Sequence, residues 1–176
     1  MVDNGISSVS IERKNRTIVS LRISNRSADN ARETLRLAAP LQTTESDPRS
    51  LWIAPNHCLL VSDNAKPDAI IEDCDDALTG IVYNVFDQSA GLAVFRLAGH
   101  GARGLLAMGS GVDFRPTQFP VGACCRTRLA QVAAIVVAIG MDDLDIYVNR
   151  SYESYLGSWL EDSKSMSDLQ RERVEK

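Results

Sequence analysis

The sequence predicts an α+β fold in which a mixed, mainly antiparallel sheet packs against helices in a single domain. The 176 residues are 44% hydrophobic, which is enough for one well-buried core. Segments with a strand-like alternation of apolar side chains are interleaved with segments of helical period. Their order is strand-helix-hairpin-helix-strand and then strand-helix-three strands-helix, which suggests two split βαβ-like halves.

Strands are predicted where short apolar or alternating segments are bounded by turn residues: 17–23, 51–54, 58–62, 81–86, 91–97, 124–130, 132–139 and 144–148. Helices are predicted where apolar residues recur with the helical period of about 3.6 residues: 27–37, 67–78, 102–108 and 151 to about 160. The first helix is capped by Ser27 or Asp29. The domain therefore occupies residues 16–162, between a polar lead at 1–15 and a polar tail at 163–176 that we expect to be frayed.

The acidic composition argues against nucleic acid as the main partner. Nineteen basic and 23 acidic residues give a formal charge of -4, spread along most of the chain. The first residues lack the pattern of a secretory signal, and the longest uncharged apolar run, Val132 to Gly140, is about half as long as a membrane helix. Four cysteines without a framework of spacings fit free thiols. We expect a cytoplasmic protein with neither nucleic acid nor membrane as a partner.

A glycine-rich turn at residues 99–104 is the most distinctive motif. Gly99-His100-Gly101-Ala102-Arg103-Gly104 has the G-x-G-x-x-G spacing, follows a predicted strand and opens a predicted helix. A dinucleotide site would also need a parallel βαβ crossover and an acid about twenty residues further on. A loop with two prolines, residues 114–122, follows instead. We therefore interpret the motif as a tight strand-to-helix turn.

Metal, nucleophile and acid–base sites are not predicted. His57 and His100 are too few for most metal sites, and Cys124-Cys125 lacks the usual two-residue spacer. Gly109-Ser110-Gly111 lacks the flanking residues of a nucleophile elbow. The acids within residues 72–76 lie along a helix whose other face is apolar, as expected of a solvated face. We assign no catalytic, cofactor-binding or metal-binding residue to this chain.

Basic residues are concentrated near the start of the chain: Arg13, Lys14, Arg16, Arg22 and Arg26. The acidic excess lies mainly after residue 60. Without interleaved aromatic residues, this asymmetry favours an acidic protein partner over RNA. A solvated edge strand is an equally good interpretation.

Several stretches, taken in their order and spacing, resemble the gamma subunit of heterotetrameric sarcosine oxidase. They are LWIAPNH (51–57), DQS (87–89), LAGHGAR (97–103), VDFRP (112–116), FPVG (119–122), TRLA (127–130) and VNRSY (148–152). The resemblance spans residues 17–162. It implies a fold similar to the folate-binding domain of the aminomethyltransferase (T protein) of glycine cleavage.

The resemblance also implies a function. The chain would be a non-catalytic structural subunit of a complex that oxidatively demethylates sarcosine, or a related N-methyl amine, and transfers the one-carbon unit to tetrahydrofolate. Its partners would be alpha, beta and delta subunits, and FAD, FMN, NAD, tetrahydrofolate and zinc are expected on those partners rather than on this chain. Fold-level likeness to a folate domain does not by itself imply folate binding.

A structural subunit should expose apolar surface that a partner covers. The interface candidates are Phe114, Arg115 and Phe119 in the loop and Tyr152, Tyr155 and Trp159 in the final helix. Internal core is the alternative for both groups. A rival function is a free-standing folate-binding or aminomethyltransferase-like protein, for which Asp113 and Phe114 are the nearest acid and aromatic wall. An autonomous dinucleotide-binding enzyme is a further alternative.

Overall fold

The computed structural model describes residues 9–24 and 28–174, with side chains at 9–24 and 29–166. The described strands are β1 Ser10–Lys14, β2 Thr17–Ile23, β3 Arg49–Ala54, β4 His57–Ser62, β5 Tyr83–Asp87, β6 Leu92–Ala98, β7 Cys124–Leu129, β8 Val132–Ala138 and β9 Asp143–Asn149. The described α-helices are α1 Ala28–Thr34, α2 Pro67–Ala77, α3 Ala102–Ala107 and α4 Glu153–Val174. The predicted α+β class is confirmed.

The strands form two antiparallel sheets. The four-stranded sheet has the order β3-β4-β2-β5 and the five-stranded sheet the order β1-β6-β9-β8-β7. Because β4 pairs antiparallel with both β2 and β3, those two strands run parallel to each other on either side of it. This half is the split βαβ arrangement that the element order predicts. In the other half, β7, β8 and β9 form a meander, and β9 rather than β8 lies beside β6.

The sheets pack face to face, with helices on the two outer faces. Side chains of both sheets pack together in the layer between them, including Ile18, Leu59, Val94 and Tyr147. Helices α1 and α2 cover the four-stranded sheet, and α3 and α4 cover the five-stranded sheet. Each sheet therefore buries apolar side chains on both faces, which gives a helix-sheet-sheet-helix sandwich.

The first strand, β1, lies inside the predicted polar lead. It pairs with β6 at the edge of the five-stranded sheet, from Ser10 opposite Ala98 to Lys14 opposite Val94. Within β1, Ile11 is the residue that packs against the core, so the segment lacks the apolar alternation that predicts a strand. Asn15-Arg16 then carries the chain to the other sheet, where β2 begins.

The closing helix is longer than predicted. A 3₁₀ turn at Arg150–Tyr152 begins with the Asn149 side chain accepting a hydrogen bond from the Ser151 N–H, and α4 continues from there to Val174. Residues 161–174 are rich in Glu, Lys, Gln, Arg, Met and Leu, which favour helix. The predicted frayed tail is thus helical as far as Val174. Within the described chain, no helix has the length and apolar character of a membrane span.

The other predicted elements are present with shifted ends. The helix predicted at 27–37 spans Ala28–Thr34, with Asp29 in its first turn, and Ser27 lies outside the described residues. The strand predicted at 81–86 is β5, Tyr83–Asp87. β7 ends at Leu129, because Ala130 and Gln131 form the turn to β8 with φ values of 48° and 74°. Both turn residues are left-handed, which suits a two-residue hairpin.

Candidate functional site

The loop between α3 and β7 carries three of the predicted interface residues. Phe114 and Phe119 are buried, and their rings meet edge to face with centroids 5.3 Å apart. Both belong to the core between the five-stranded sheet and its helices. They are core rather than interface residues in this structure, because the loop folds their rings inward.

Arg103 holds this loop in place. The residue is only 8% exposed, yet its guanidinium contacts no carboxylate among the described residues. Instead, Nη1 donates to the carbonyl oxygens of Phe114 and Phe119 at 2.6 and 2.7 Å. Nε and Nη2 donate to the Met141 and Gly140 carbonyls at 2.6 and 3.3 Å. One side chain thereby ties the loop to the β8–β9 turn.

Arg115 is the predicted loop residue that remains at the surface. Its guanidinium donates to both carboxylate oxygens of Asp113, at 2.9 and 3.0 Å from Nε. These bonds, and one from the Arg115 backbone N–H, lower the pKa of Asp113 to about 2. A partner that binds here would therefore contact an arginine already paired with Asp113, not an unpaired charge.

Two exposed tyrosines lie where the closing helix begins, Tyr152 at the end of the 3₁₀ turn and Tyr155 in the first turn of α4. Tyr152 and Tyr155 are each 48% exposed, whereas Leu156 and Leu160 are buried against the five-stranded sheet. Trp159 is half-buried and packs against the same core. The predicted single apolar face is thus divided into a buried aliphatic part and an exposed tyrosine part.

Trp159 lies directly on Gly109, at the start of the loop. A Cβ added to Gly109 would lie 2.5 Å from Cη2 and Cζ2 of the indole and 3.2 Å from the Ala130 backbone nitrogen. Carbon atoms cannot approach so closely, so only glycine fits this position without displacing the ring.

We predict that Gly109→Ala lowers the free energy of unfolding by about 1–3 kcal/mol, because the methyl group overpacks a filled site. Denaturant unfolding measures this change, and tryptophan fluorescence of the folded protein should shift as the Trp159 ring moves. Gly111→Ala is the matched control, since nothing lies within 4 Å of a Cβ at that position. Equal stability of the two variants would contradict the packing described.

A groove beside the loop was not predicted. It has a volume of about 500 Å³ and is lined by residues 40–43, Glu45 and residues 118–125. Two backbone bonds join its walls: Thr43 N–H donates to the Gly122 carbonyl and Cys124 N–H to the Leu41 carbonyl, both at 2.8 Å. Leu41 and Val121 are exposed at this groove. Isolated apolar residues inside loops give no periodic signal, so the pattern analysis could not find them.

The glycine-rich motif forms a turn, as interpreted. Gly99 has a φ of 113°, and its carbonyl accepts from the Ala102 N–H at 2.9 Å as α3 begins. α3 has six residues and leads to β7, which two strands separate from β6. The parallel crossover to a neighbouring strand that a dinucleotide site requires is therefore not formed.

Histidines and cysteines do not form a metal cluster in the described part of the chain. His100 is exposed, 3.8 Å from an Asp142 carboxylate oxygen, and His57 contacts Ser20 Oγ through Nε2 at 3.0 Å. The cysteines are free thiols, and burial raises the pKa of Cys124 to about 12 and that of Cys125 to about 11. These thiols are therefore protonated near neutral pH.

An ion cluster lies at one end of the layer between the sheets. Asp145 on β9 is 1% exposed and accepts from Arg96 Nε and Nη2 at 2.9 and 3.1 Å. Arg16 donates to the same carboxylate at 2.5 Å, to Tyr147 Oη at 2.9 Å and to Asp63 at 2.8 Å. Asp63 follows β4 of the four-stranded sheet, so this intersheet ion cluster connects both sheets. Burial, with the charge of Asp145, raises the pKa of Tyr147.

Part of the basic N-terminal set is paired with acids within the chain. Arg13, Lys14 and Arg16 each form an ion pair with an acid of this chain. These three are thus not free for an acidic partner. Arg22 has no carboxylate partner among the described residues, and Arg26 lies outside them.

Comparison with known proteins identifies the family. The protein-family model described as "Sarcosine oxidase, gamma subunit family" matches residues 27–166. These residues include every described strand except β1 and β2. The chain belongs to the sarcosine oxidase gamma subunit family. The resemblance stated from the sequence is thereby confirmed.

A curated member of the gamma subunit family is sarcosine oxidase subunit gamma from Corynebacterium sp. (strain U-96). It is 27% identical to this chain over 115 residues, which are 65% of this chain and 55% of the relative. The match thus spans little more than half the length of that relative.

Two solved structures share the fold of this gamma subunit family member. Heterotetrameric sarcosine oxidase from Corynebacterium sp. U-96, in complex with pyrrole 2-carboxylate, contains a chain with a TM-score of 0.81 and 23% identity, covering 90% of this chain and 84% of that one. Glycine cleavage system aminomethyltransferase T from Bartonella henselae gives a TM-score of 0.65 and 12% identity, covering 88% of this chain and 45% of that one. The predicted likeness to the aminomethyltransferase fold is confirmed.

Proposed function

We propose that this chain is a non-catalytic structural subunit of a heterotetrameric sarcosine oxidase type complex. The family match over residues 27–166 carries the proposal. Such a complex would oxidatively demethylate sarcosine, or a related N-methyl amine, and transfer the one-carbon unit to tetrahydrofolate. The FAD, FMN, NAD, tetrahydrofolate and zinc would be held by partner alpha, beta and delta subunits.

The exposed Tyr152 and Tyr155, at the junction of the 3₁₀ turn and α4, are the proposed centre of the partner interface. Tyrosine is enriched at protein interfaces because a large apolar ring carries a polar tip. Tyr152 and Tyr155 leave about half of their surface uncovered, although Leu156 beside them is buried. Leu41 and Val121 expose apolar surface separately, at the groove. Arg115 and Trp159 remain proposed interface residues. Arg115 would contact a partner as a member of its surface ion pair with Asp113, and Trp159 is only half-buried.

We also propose a cytoplasmic location. The cysteines are free, and Cys58, Cys74 and Cys124 are buried. Free thiols persist in a reducing compartment, where disulfides are rare. This supports the location expected from the composition.

We predict that Tyr152→Ala with Tyr155→Ala weakens assembly with the partner chains by at least about tenfold, the effect of losing about 1.4 kcal/mol of binding free energy. Because both side chains are exposed, the folded chain should retain its circular dichroism spectrum and its unfolding midpoint. Binding is measured by calorimetry with the purified partner complex. Val82→Ala with Met141→Ala is the control, since it removes exposed apolar side chains elsewhere. Equal affinities for the two double variants would refute the proposed interface.

Co-expression with the genes beside its own tests the proposed function as a whole. We expect a complex of four different chains by light scattering, flavin absorbance that follows the partner chains, and sarcosine-dependent peroxide formation. The chain purified alone should carry no flavin. A monomer that binds tetrahydrofolate and ignores those neighbours would instead establish the rival function, a free-standing folate-binding protein.

A further inference from the structure

Charged residues lie at both ends of the layer between the sheets. They are paired with opposite charges at one end only. At one end, the intersheet ion cluster pairs each arginine with a carboxylate. At the other end, the sheets separate around a cleft of about 270 Å³. Its lining is Arg22, Ile53, His57, Leu59, Gln88, Leu92, Arg126, Ala133, Ala134, Ile135, Tyr147 and Asn149. No acidic residue is among these described lining residues, and we call this feature the basic cleft.

Three basic groups converge on the basic cleft from two sheets. Arg22 lies on β2 and His57 opposite it on β4, whereas Arg126 lies on β7 of the other sheet. Arg22 is the cross-strand neighbour of His57, and both residues line the cleft together with Arg126. Burial lowers the pKa of His57, and the charges of the two arginines lower it further. Among the described residues, neither arginine forms an ion pair. The basic cleft therefore concentrates positive charge without a counter-charge.

The walls of the basic cleft are apolar. Ile53 and Leu59 come from the four-stranded sheet, and Leu92 and Ile135 from the five-stranded sheet. A ligand with an apolar body would remove these side chains from water, at roughly 25 cal/mol for each Å² buried. At about 270 Å³ the cleft is slightly smaller than most ligand pockets, which usually measure about 300–1,000 Å³, so only a small ligand would fit.

We infer that the basic cleft binds an organic anion with a small apolar body, such as an aromatic monocarboxylate. Its carboxylate would accept hydrogen bonds from the guanidiniums of Arg22 and Arg126, one from each sheet. The amides of Gln88 and Asn149 lie in the same lining and offer further donors. The ring would lie between the apolar walls. This inference does not depend on the proposed function.

The probe for the test is 2-naphthoate, titrated calorimetrically into the full chain without partners. We expect one saturable site, and affinity at least about tenfold lower for the neutral isostere 2-naphthamide. In Arg22→Gln with Arg126→Gln, the affinity for 2-naphthoate should also fall at least about tenfold, while 2-naphthamide binding stays within about twofold. Both arginines are exposed, so the double variant should keep the wild-type unfolding midpoint.

Arg115→Gln with Arg128→Gln is the matched control, since it removes two exposed positive charges outside the basic cleft. It should bind 2-naphthoate as the wild type does. If both double variants lost affinity for 2-naphthoate equally, the effect would come from net charge and the inference would be overturned. The absence of saturable binding would overturn it as well. If 2-naphthoate does not bind but Arg22→Gln with Arg126→Gln abolishes assembly with partner chains, the basic cleft receives a protein carboxylate and the inference is wrong.

Discussion

Asp145→Asn is expected to lower the free energy of unfolding by about 3–5 kcal/mol, the cost of breaking a buried ion pair by removing one partner. The substitution leaves Arg16 and Arg96 facing a neutral amide, which accepts fewer of their hydrogen bonds. Arg16 retains Asp63, but that acid is largely exposed and solvent screens its charge. Because asparagine and aspartate are similar in size, this substitution measures the loss of charge without a loss of volume.

Chemical denaturation near neutral pH measures the effect of Asp145→Asn. Asp113→Asn is the control, because it removes the carboxylate of a surface ion pair and should change stability by less than about 1 kcal/mol. The double variant Arg16→Met with Asp145→Leu should recover part of the loss, because it removes two buried charges together and leaves only Arg96, whose side chain is partly exposed. A change below 1 kcal/mol for Asp145→Asn would show that water reaches the cluster.

Arg103→Met is expected to lower the free energy of unfolding by about 2–6 kcal/mol. It removes the donor shared by the buried carbonyls of Phe114 and Phe119, and each unsatisfied buried polar group costs about 1–3 kcal/mol. Arg103→Lys should restore only part of this stability, since an ammonium cannot span carbonyls that the planar guanidinium reaches in several directions.

Limited proteolysis and denaturation together test the role of Arg103. Cleavage within residues 109–122 should become faster in Arg103→Met, because the loop loses its anchor. Arg128→Met is the control, as its guanidinium bonds only the exposed Gln131 side chain among the described contacts. Loss of stability without faster loop cleavage would mean that Arg103 supports the helix more than the loop.

Elements with strong apolar periods are the ones that the sequence predicts best. The sequence predicts strand β2 and helix α2 within one residue of their ends, because their apolar positions repeat clearly. It does not predict β1, because an edge strand with one inward apolar residue has the same pattern as a polar loop. The turn at Ala130-Gln131 carries none of the glycine or asparagine that usually marks left-handed residues.

The candidate site was harder to predict than the fold. Tyr152 and Tyr155 are exposed, but Phe114 and Phe119 are core, and sequence alone does not say whether a loop folds its aromatic residues inward. Asp145 had a visible signal, as the acid within the apolar strand Leu-Asp-Ile-Tyr-Val at 144–148. Arg103 lies in the glycine-rich motif, but the motif does not indicate that its side chain binds loop carbonyls 11 to 38 residues away. The basic cleft has no signal in the sequence, because its lining residues lie far apart along the chain.

The two-residue link between β1 and β2 restricts insertions and deletions in this part of the sequence. Asn15-Arg16 passes from one sheet to the other, and its length sets where the Arg16 guanidinium meets Asp145. One inserted residue would either withdraw that guanidinium or shift β2 by one position, which exchanges its two faces. Loops elsewhere tolerate changes in length at small entropic cost. In evolutionary terms, we expect insertions and deletions in this link to be selected against.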